Sequence, residues 1–130
     1  MSNAQNNPQQ PPPTPTPPSM QKPMSAKALN DRLNWGEPAF TIIDVRDRSA
    51  FNQYRIMGAI PIPRDELVEQ VQDRFDPRRE IYVYADEDGE TENAAAKLRE
   101  AGFEEVAGIQ GGLKAWKAVD GPTEGTEERA

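Results

Sequence analysis

The sequence predicts a single α/β domain with a mostly parallel sheet, and three observations carry that expectation. Short β-prone runs alternate with helical stretches between Met24 and Asp120, the order that places crossover helices between parallel strands. The run Ile81-Tyr82-Val83-Tyr84 is apolar, β-branched and aromatic throughout, the character of a central strand buried on both faces. Composition also shifts along the chain: the first twenty-three residues hold eight of the thirteen prolines with Lys22 as their only charge. That leaves roughly a hundred residues, enough for one small core.

Taken in order, the segment over residues 1–23 has too few backbone donors for helix or sheet and is expected to be a disordered, extended proline-rich tail or linker. It suits a solubilising spacer or, alternatively, a ligand for a proline-recognising domain. Ser25 is placed to cap a short helix through Leu33, after which Gly36 and Pro38 turn the chain into the strand Phe40-Thr41-Ile42-Ile43, with Asp44 at its end. A second helix is expected over Ser49 to Tyr54. The stretch Ala59-Ile60-Pro61-Ile62-Pro63 is too proline-rich for a helix and reads as a short strand leaving through a turn.

Asp65 opens a third helix, in which Leu67, Val68, Val71 and Phe75 recur at helical spacing while Glu66, Glu69, Gln70 and Asp73 point away, until Asp76-Pro77 stops it. Arg78 and Arg79 then read as a solvated turn. Beyond the central strand come a polar stretch, a helix from about Glu92 to Ala101 closed by Gly102, a strand over Phe103 to Ala107, and a last helix over Leu113 to Ala118. Leu113 and Trp116 share one face of that helix, and Trp35 and Trp116 read as packing residues. Gly111-Gly112 suits a tight strand-to-helix turn. Residues 123–130 read as an acidic flexible tail. Functional loops in such domains lie at the carboxyl ends of the strands, so the loop after Tyr84 is the first candidate site.

The chain contains no cysteine and no histidine. No thiolate nucleophile, persulfide, disulfide, imidazole base, Ser-His-Asp triad or ordinary zinc site can be built from it. No cofactor is implied. A net charge of -7 opposes binding to nucleic acid or anionic lipid and favours basic partners. No apolar run approaches the roughly 20 residues of a membrane span, and no secretory signal is evident. A cytoplasmic monomer is expected.

Four motifs in order, Ile43-Asp44-Val45-Arg46, Gly58-Ala59-Ile60-Pro61-Ile62-Pro63, Ala101-Gly102-Phe103 and Gly111-Gly112-Leu113-Lys114-Ala115-Trp116, make residues 24–122 resemble a rhodanese homology domain. The resemblance implies a five-stranded, largely parallel sheet flanked by helices. In active members of that family a six-residue loop follows the strand matching Ile81–Tyr84, beginning with a catalytic cysteine and containing an arginine that helps hold the anionic substrate. Here Ala85 occupies the cysteine position and Glu90 stands where the second arginine is usual. Tyr54-Arg55-Ile56-Met57 replaces a common Gly-His-Ile-Pro turn. Sulfane-sulfur transfer needs a thiolate that attacks and becomes a persulfide in a cradle of N–H groups, and a methyl group cannot serve. The resemblance therefore implies a domain without sulfurtransferase activity of its own. Asp44 and Arg46 are expected to act as scaffold.

The segment Ala85-Asp86-Glu87-Asp88-Gly89-Glu90-Thr91 carries four carboxylates and no lysine or arginine. Three uses are open: a solvated acidic surface at a helix N-terminus, a docking surface steering a basic partner, or cation chemistry. The third rests on a superficial resemblance of Asp86-Glu87-Asp88-Gly89 to the first motif of haloacid dehalogenase-type phosphatases, which need magnesium and further residues over a larger domain. Weak divalent-cation binding, or a sulfurtransferase-associated protein working with a partner's thiol, completes the alternatives.

Overall fold

The computed structural model describes residues 23–34 and 40–125. Most of the proline-rich segment, the Gly36/Pro38 turn, Trp35 and residues 126–130 lie outside the described residues. In chain order the elements are α1 (Ala26–Asn34), β1 (Phe40–Asp44), α2 (Arg48–Gln53), β2 (Arg55–Ile56), β3 (Ile60–Pro61), a 3₁₀ turn (Arg64–Glu66), α3 (Leu67–Arg74), β4 (Glu80–Tyr84), α4 (Asp88–Glu100), β5 (Val106–Gly108), α5 (Gly112–Ala118) and β6 (Thr123–Glu124).

The main sheet has the order β3-β1-β4-β5, with every pairing parallel. The expected fifth strand is reduced to a single parallel bridge, Met24 to Ile109, in which the Met24 N–H donates to the Gly108 carbonyl at 2.7 Å and the Met24 carbonyl accepts from the Gln110 N–H at 2.8 Å. A separate antiparallel pair joins β2 to β6, with Arg55 opposite Glu124 and Ile56 opposite Thr123. The segment over residues 123–130, expected to be an acidic flexible tail, thus opens with a paired strand at Thr123–Glu124.

Helices cover both faces of the main sheet, and the two-residue period of the strands divides the core accordingly. Phe40, Ile42, Tyr82 and Tyr84 pack with Leu29 of α1, Phe51 of α2 and Trp116 of α5. Ile43, Ile81, Val83 and Ala85 pack with Leu67 and Val71 of α3 and Ala94, Ala95 and Leu98 of α4. Ile81 and Val83 are wholly buried, each contributing about 1.5–3 kcal/mol by leaving water. Trp116 is wholly buried as well, and its indole N–H donates to the Pro122 carbonyl at 2.8 Å. Its role as a packing residue follows, since a buried indole N–H must find an acceptor.

Several boundaries differ from the sequence expectation for identifiable reasons. Ser25 does cap α1, accepting the Ala28 N–H at 3.0 Å, but α2 starts one residue before Ser49 because Asp47 accepts the Ala50 N–H and caps it. Asp65 lies inside a 3₁₀ turn, and the α-helix begins only at Leu67. The strand expected over Phe103 to Ala107 is Val106–Gly108, because the Phe103 N–H first closes the end of α4 on the Leu98 carbonyl. Arg79 is more than a solvated residue: its Nε donates to Thr41 Oγ1 at 2.8 Å, tying the turn before β4 to β1.

Among the described residues no helix is long and apolar enough to cross a membrane.

Candidate functional site

The carboxyl ends of β1 and β4 open into a cleft of about 270 Å³ lined by Val45, Arg46, Asp47, Pro63, Arg64, Asp65, Ala85, Asp86 and Glu90. Its floor is Ala85, the first residue after the central strand, which is buried and contributes only a methyl group. The Ala85 N–H donates to Thr91 Oγ1 at 2.9 Å. That bond ties the start of the loop to the first turn of α4.

The helix α4 starts at Asp88, about a turn before the expected Glu92. Only Ala85, Asp86 and Glu87 therefore form a loop, and Asp88, Gly89, Glu90 and Thr91 are helical. The physical reason is twofold: Asp88 and Glu90 in the first turn are favoured by the N-terminal helix dipole, and Thr91 gains a buried backbone donor by being wound inward. Thr91 is 1% exposed. It is part of the scaffold, outside the lining of the cleft.

The candidate segment is thus divided. Ala85, Asp86 and Glu90 face the cleft. Asp88 turns to the opposite side, where its Oδ1 accepts the Gly111 N–H at 2.9 Å. Gly111 and Gly112 take φ of +78° and +55° there, a turn that only glycine makes without strain, and a Cβ on Gly112 would stand 3.0 Å from the Ala85 carbonyl oxygen. Glu87 and Gly89 are exposed outside the cleft lining.

The segment is not the uncompensated patch of negative charge that its sequence implies. Arg64, in the 3₁₀ turn after β3, reaches across to Glu90, with Nη1 3.7 Å from Oε2. Arg46 lines the same wall. Local sequence around residues 85–91 gives no sign of either guanidinium, because both arrive on other elements. Asp47 and Asp65 likewise join the rim from elsewhere. Their position just beyond β1 and β3, at carboxyl strand ends, was the available signal.

Asp44 and Arg46 form the most deeply embedded ion pair near the cleft. The Asp44 carboxylate is wholly buried and accepts from Arg46 Nε at 3.0 Å and Nη2 at 2.7 Å, as well as from the Arg46 backbone N–H at 2.9 Å. Arg46 Nη2 also donates to the Tyr54 carbonyl at 2.6 Å, and its guanidinium lies 5.5 Å from the centre of the Tyr84 ring. Burial opposes the Arg46 charge, yet the hydrogen bonds and charge of Asp44 outweigh it and hold the guanidinium above its usual pKa. The Tyr84 phenol is pushed well above its ordinary value, first by burial and then by the neighbouring Asp44 charge. Its hydroxyl oxygen accepts the Ile56 N–H at 3.1 Å. These contacts orient the turn after β1 and hold α2 and β2 against the sheet.

Chemically, the floor offers no nucleophile and the rim offers carboxylates and two guanidiniums. Among the described residues no group of three or more Asp or Glu side chains converges to hold a metal ion. The paired-aspartate arrangement considered from the sequence does not form, since Asp86 faces the cleft and Asp88 faces Gly111.

The comparisons with known proteins agree with this architecture. The rhodanese-like domain family profile matches residues 25–119. Thiosulfate sulfurtransferase GlpE from Shewanella oneidensis is 33% identical over 75 residues, which span 58% of this chain and 73% of that protein. The solution structure of the rhodanese-like domain from the Anabaena Alr3790 protein aligns with a TM-score of 0.77 and 51% identity, over 80% of this chain and 79% of that one. The BH2092 protein from Bacillus halodurans aligns with a TM-score of 0.71 and 29% identity, over 82% of this chain and 78% of that one. With a parallel sheet flanked by helices and a cleft at its carboxyl edge, this chain belongs to the rhodanese-like domain family, and it contains no cysteine to supply a sulfurtransferase thiol.

Proposed function

We propose that this domain is a catalytically silent rhodanese-like module that binds a basic partner protein at the cleft above Ala85. One observation carries the proposal: the cleft persists although its floor is a methyl group, and its rim sets Asp47, Asp65, Asp86 and Glu90 against two guanidiniums. Arg46 is already matched by Asp44 beneath it. The remaining surface is negative, which steers cationic groups toward it and repels thiosulfate.

The test is affinity capture from a lysate of the source organism at low and high salt, with the native chain beside an Asp86→Asn/Glu90→Gln variant. Asp88 is left intact because it braces the Gly111 turn. A basic partner retained by the native chain and lost both with salt and in the variant supports the proposal. Identical captures by the two chains overturn it.

A second role, assisting sulfur transfer with a partner's thiol, is favoured by the sulfurtransferase relatives alone. A thiosulfate-to-cyanide assay with and without added thiol proteins separates the two, since sustained turnover that depends on this chain would remove the description as catalytically silent.

A further inference from the structure

We infer that the cleft is shaped to take one arginine or lysine side chain of its partner, and that Arg64 fills this role intramolecularly in the free protein. The inference rests on the proposed docking function and specifies its chemistry. Arg64 and Glu90 come from opposite walls, the 3₁₀ turn and the first turn of α4, and both line the cleft whose floor is Ala85. Their side chains meet at 3.7 Å while each keeps nearly half of its surface exposed, 49% for Arg64 and 41% for Glu90. An ion pair so exposed and so long is weak, so an incoming cation can displace it.

The cleft is suited to a long basic side chain in its apolar parts too. Pro63 is part-exposed in the lining, beside the nearly buried Val45 and Ala85, so part of the methylene stem of a lysine or arginine can rest on Pro63 while its charged end meets the rim. Arg46 is fixed in the wall by Asp44, the Tyr54 carbonyl and the Tyr84 ring and acts on the rim acid Asp86 through its charge alone, whereas Glu90 is paired with Arg64. Arg64 is thus an internal competitor: it covers Glu90 in the free domain and swings out when a partner's cation arrives. No bond is made or broken covalently, and the strap sets only the affinity.

The experiment is an amide chemical-shift titration of the full chain with Nα-acetyl-arginine amide, and with a short arginine-containing peptide, in three forms: native, Arg64→Gln and Arg78→Gln. Arg78 is an exposed arginine paired with Asp76 and is not among the residues lining the cleft, so its replacement removes the same charge without touching the strap. The expected result is that shifts concentrate at Ala85, Asp86 and Glu90, and that Arg64→Gln binds about two- to fivefold more tightly than the other two forms, the scale of an exposed ion pair. Native-chain binding at the cleft with no gain in Arg64→Gln over Arg78→Gln overturns the strap and leaves the docking proposal standing. Absence of cleft shifts in all three forms, with the peptide as with the single residue, overturns both.

Discussion

The hydroxyl of Thr91 accepts the backbone N–H of Ala85 at 2.9 Å, and both residues are buried. This single bond joins the end of the central strand to the first turn of α4, at the floor of the cleft. In this chain the N–H next to the cleft floor is therefore committed to the scaffold. Replacing Thr91 by valine keeps the shape and removes the acceptor. It should cost about 1–3 kcal/mol, the penalty of a buried donor left unpaired, and hydrogen exchange should show faster exchange at the Ala85 amide with a matching fall in the urea midpoint.

The Asp44–Arg46 pair should be far more consequential for stability than the Arg64–Glu90 pair. Asp44→Ala leaves the largely buried Arg46 without its carboxylate, and breaking such a pair costs about 3–5 kcal/mol. Glu90→Ala removes a half-exposed contact and should cost under about 1 kcal/mol. Urea unfolding of the two variants side by side checks the order, and equal losses would contradict the structural assignment of Asp44.

Restoring the thiol alone should not restore chemistry. In Ala85→Cys the new sulfur would sit on the cleft floor beneath Asp86 and Glu90, whose charges disfavour both the thiolate and the approach of thiosulfate. Thiosulfate-to-cyanide turnover by this variant is expected to match the background of the native chain. Turnover clearly above that background would mean the acidic rim matters less than the missing sulfur.

The two buried tyrosines predict an alkaline loss of stability. Burial is the first cause that raises the Tyr82 and Tyr84 phenols, with Glu80 adding to it for Tyr82 and Asp44 for Tyr84. The folded state then keeps protons that the unfolded chain releases near its ordinary tyrosine value of 10.0. Stability is accordingly unaffected by these groups below about pH 10 and falls as pH rises above it, by up to about 1.4 kcal/mol per pH unit for each. Urea titrations across the alkaline range should show a shallower decline for Tyr82→Phe than for the native chain. Tyr84→Phe should also lower stability at neutral pH, because its hydroxyl satisfies the Ile56 N–H.

The sequence by itself determined the excluded chemistry, since the absence of cysteine and histidine holds in any conformation. It also determined the alternating α/β order and the central strand, because Ile81, Tyr82, Val83 and Tyr84 leave no polar face to turn toward water. The Asp44–Arg46 contact has a local origin for a related reason: two residues so close in the chain, at a strand end, can meet within one turn. Only the tertiary structure decided which acids face the cleft. Glu90 meets Arg64 across two elements, Asp88 meets Gly111 at 23 positions' distance, and Arg55 meets Glu124 at 69. The start of α4 at Asp88 belongs to the same class, because winding that turn depends on burying Thr91 against the end of β4. Local propensity near residues 85–91 records polarity and charge, whereas a long-range contact depends on how the strands and helices pack, and that packing set both the direction of each carboxylate and the guanidiniums opposite it.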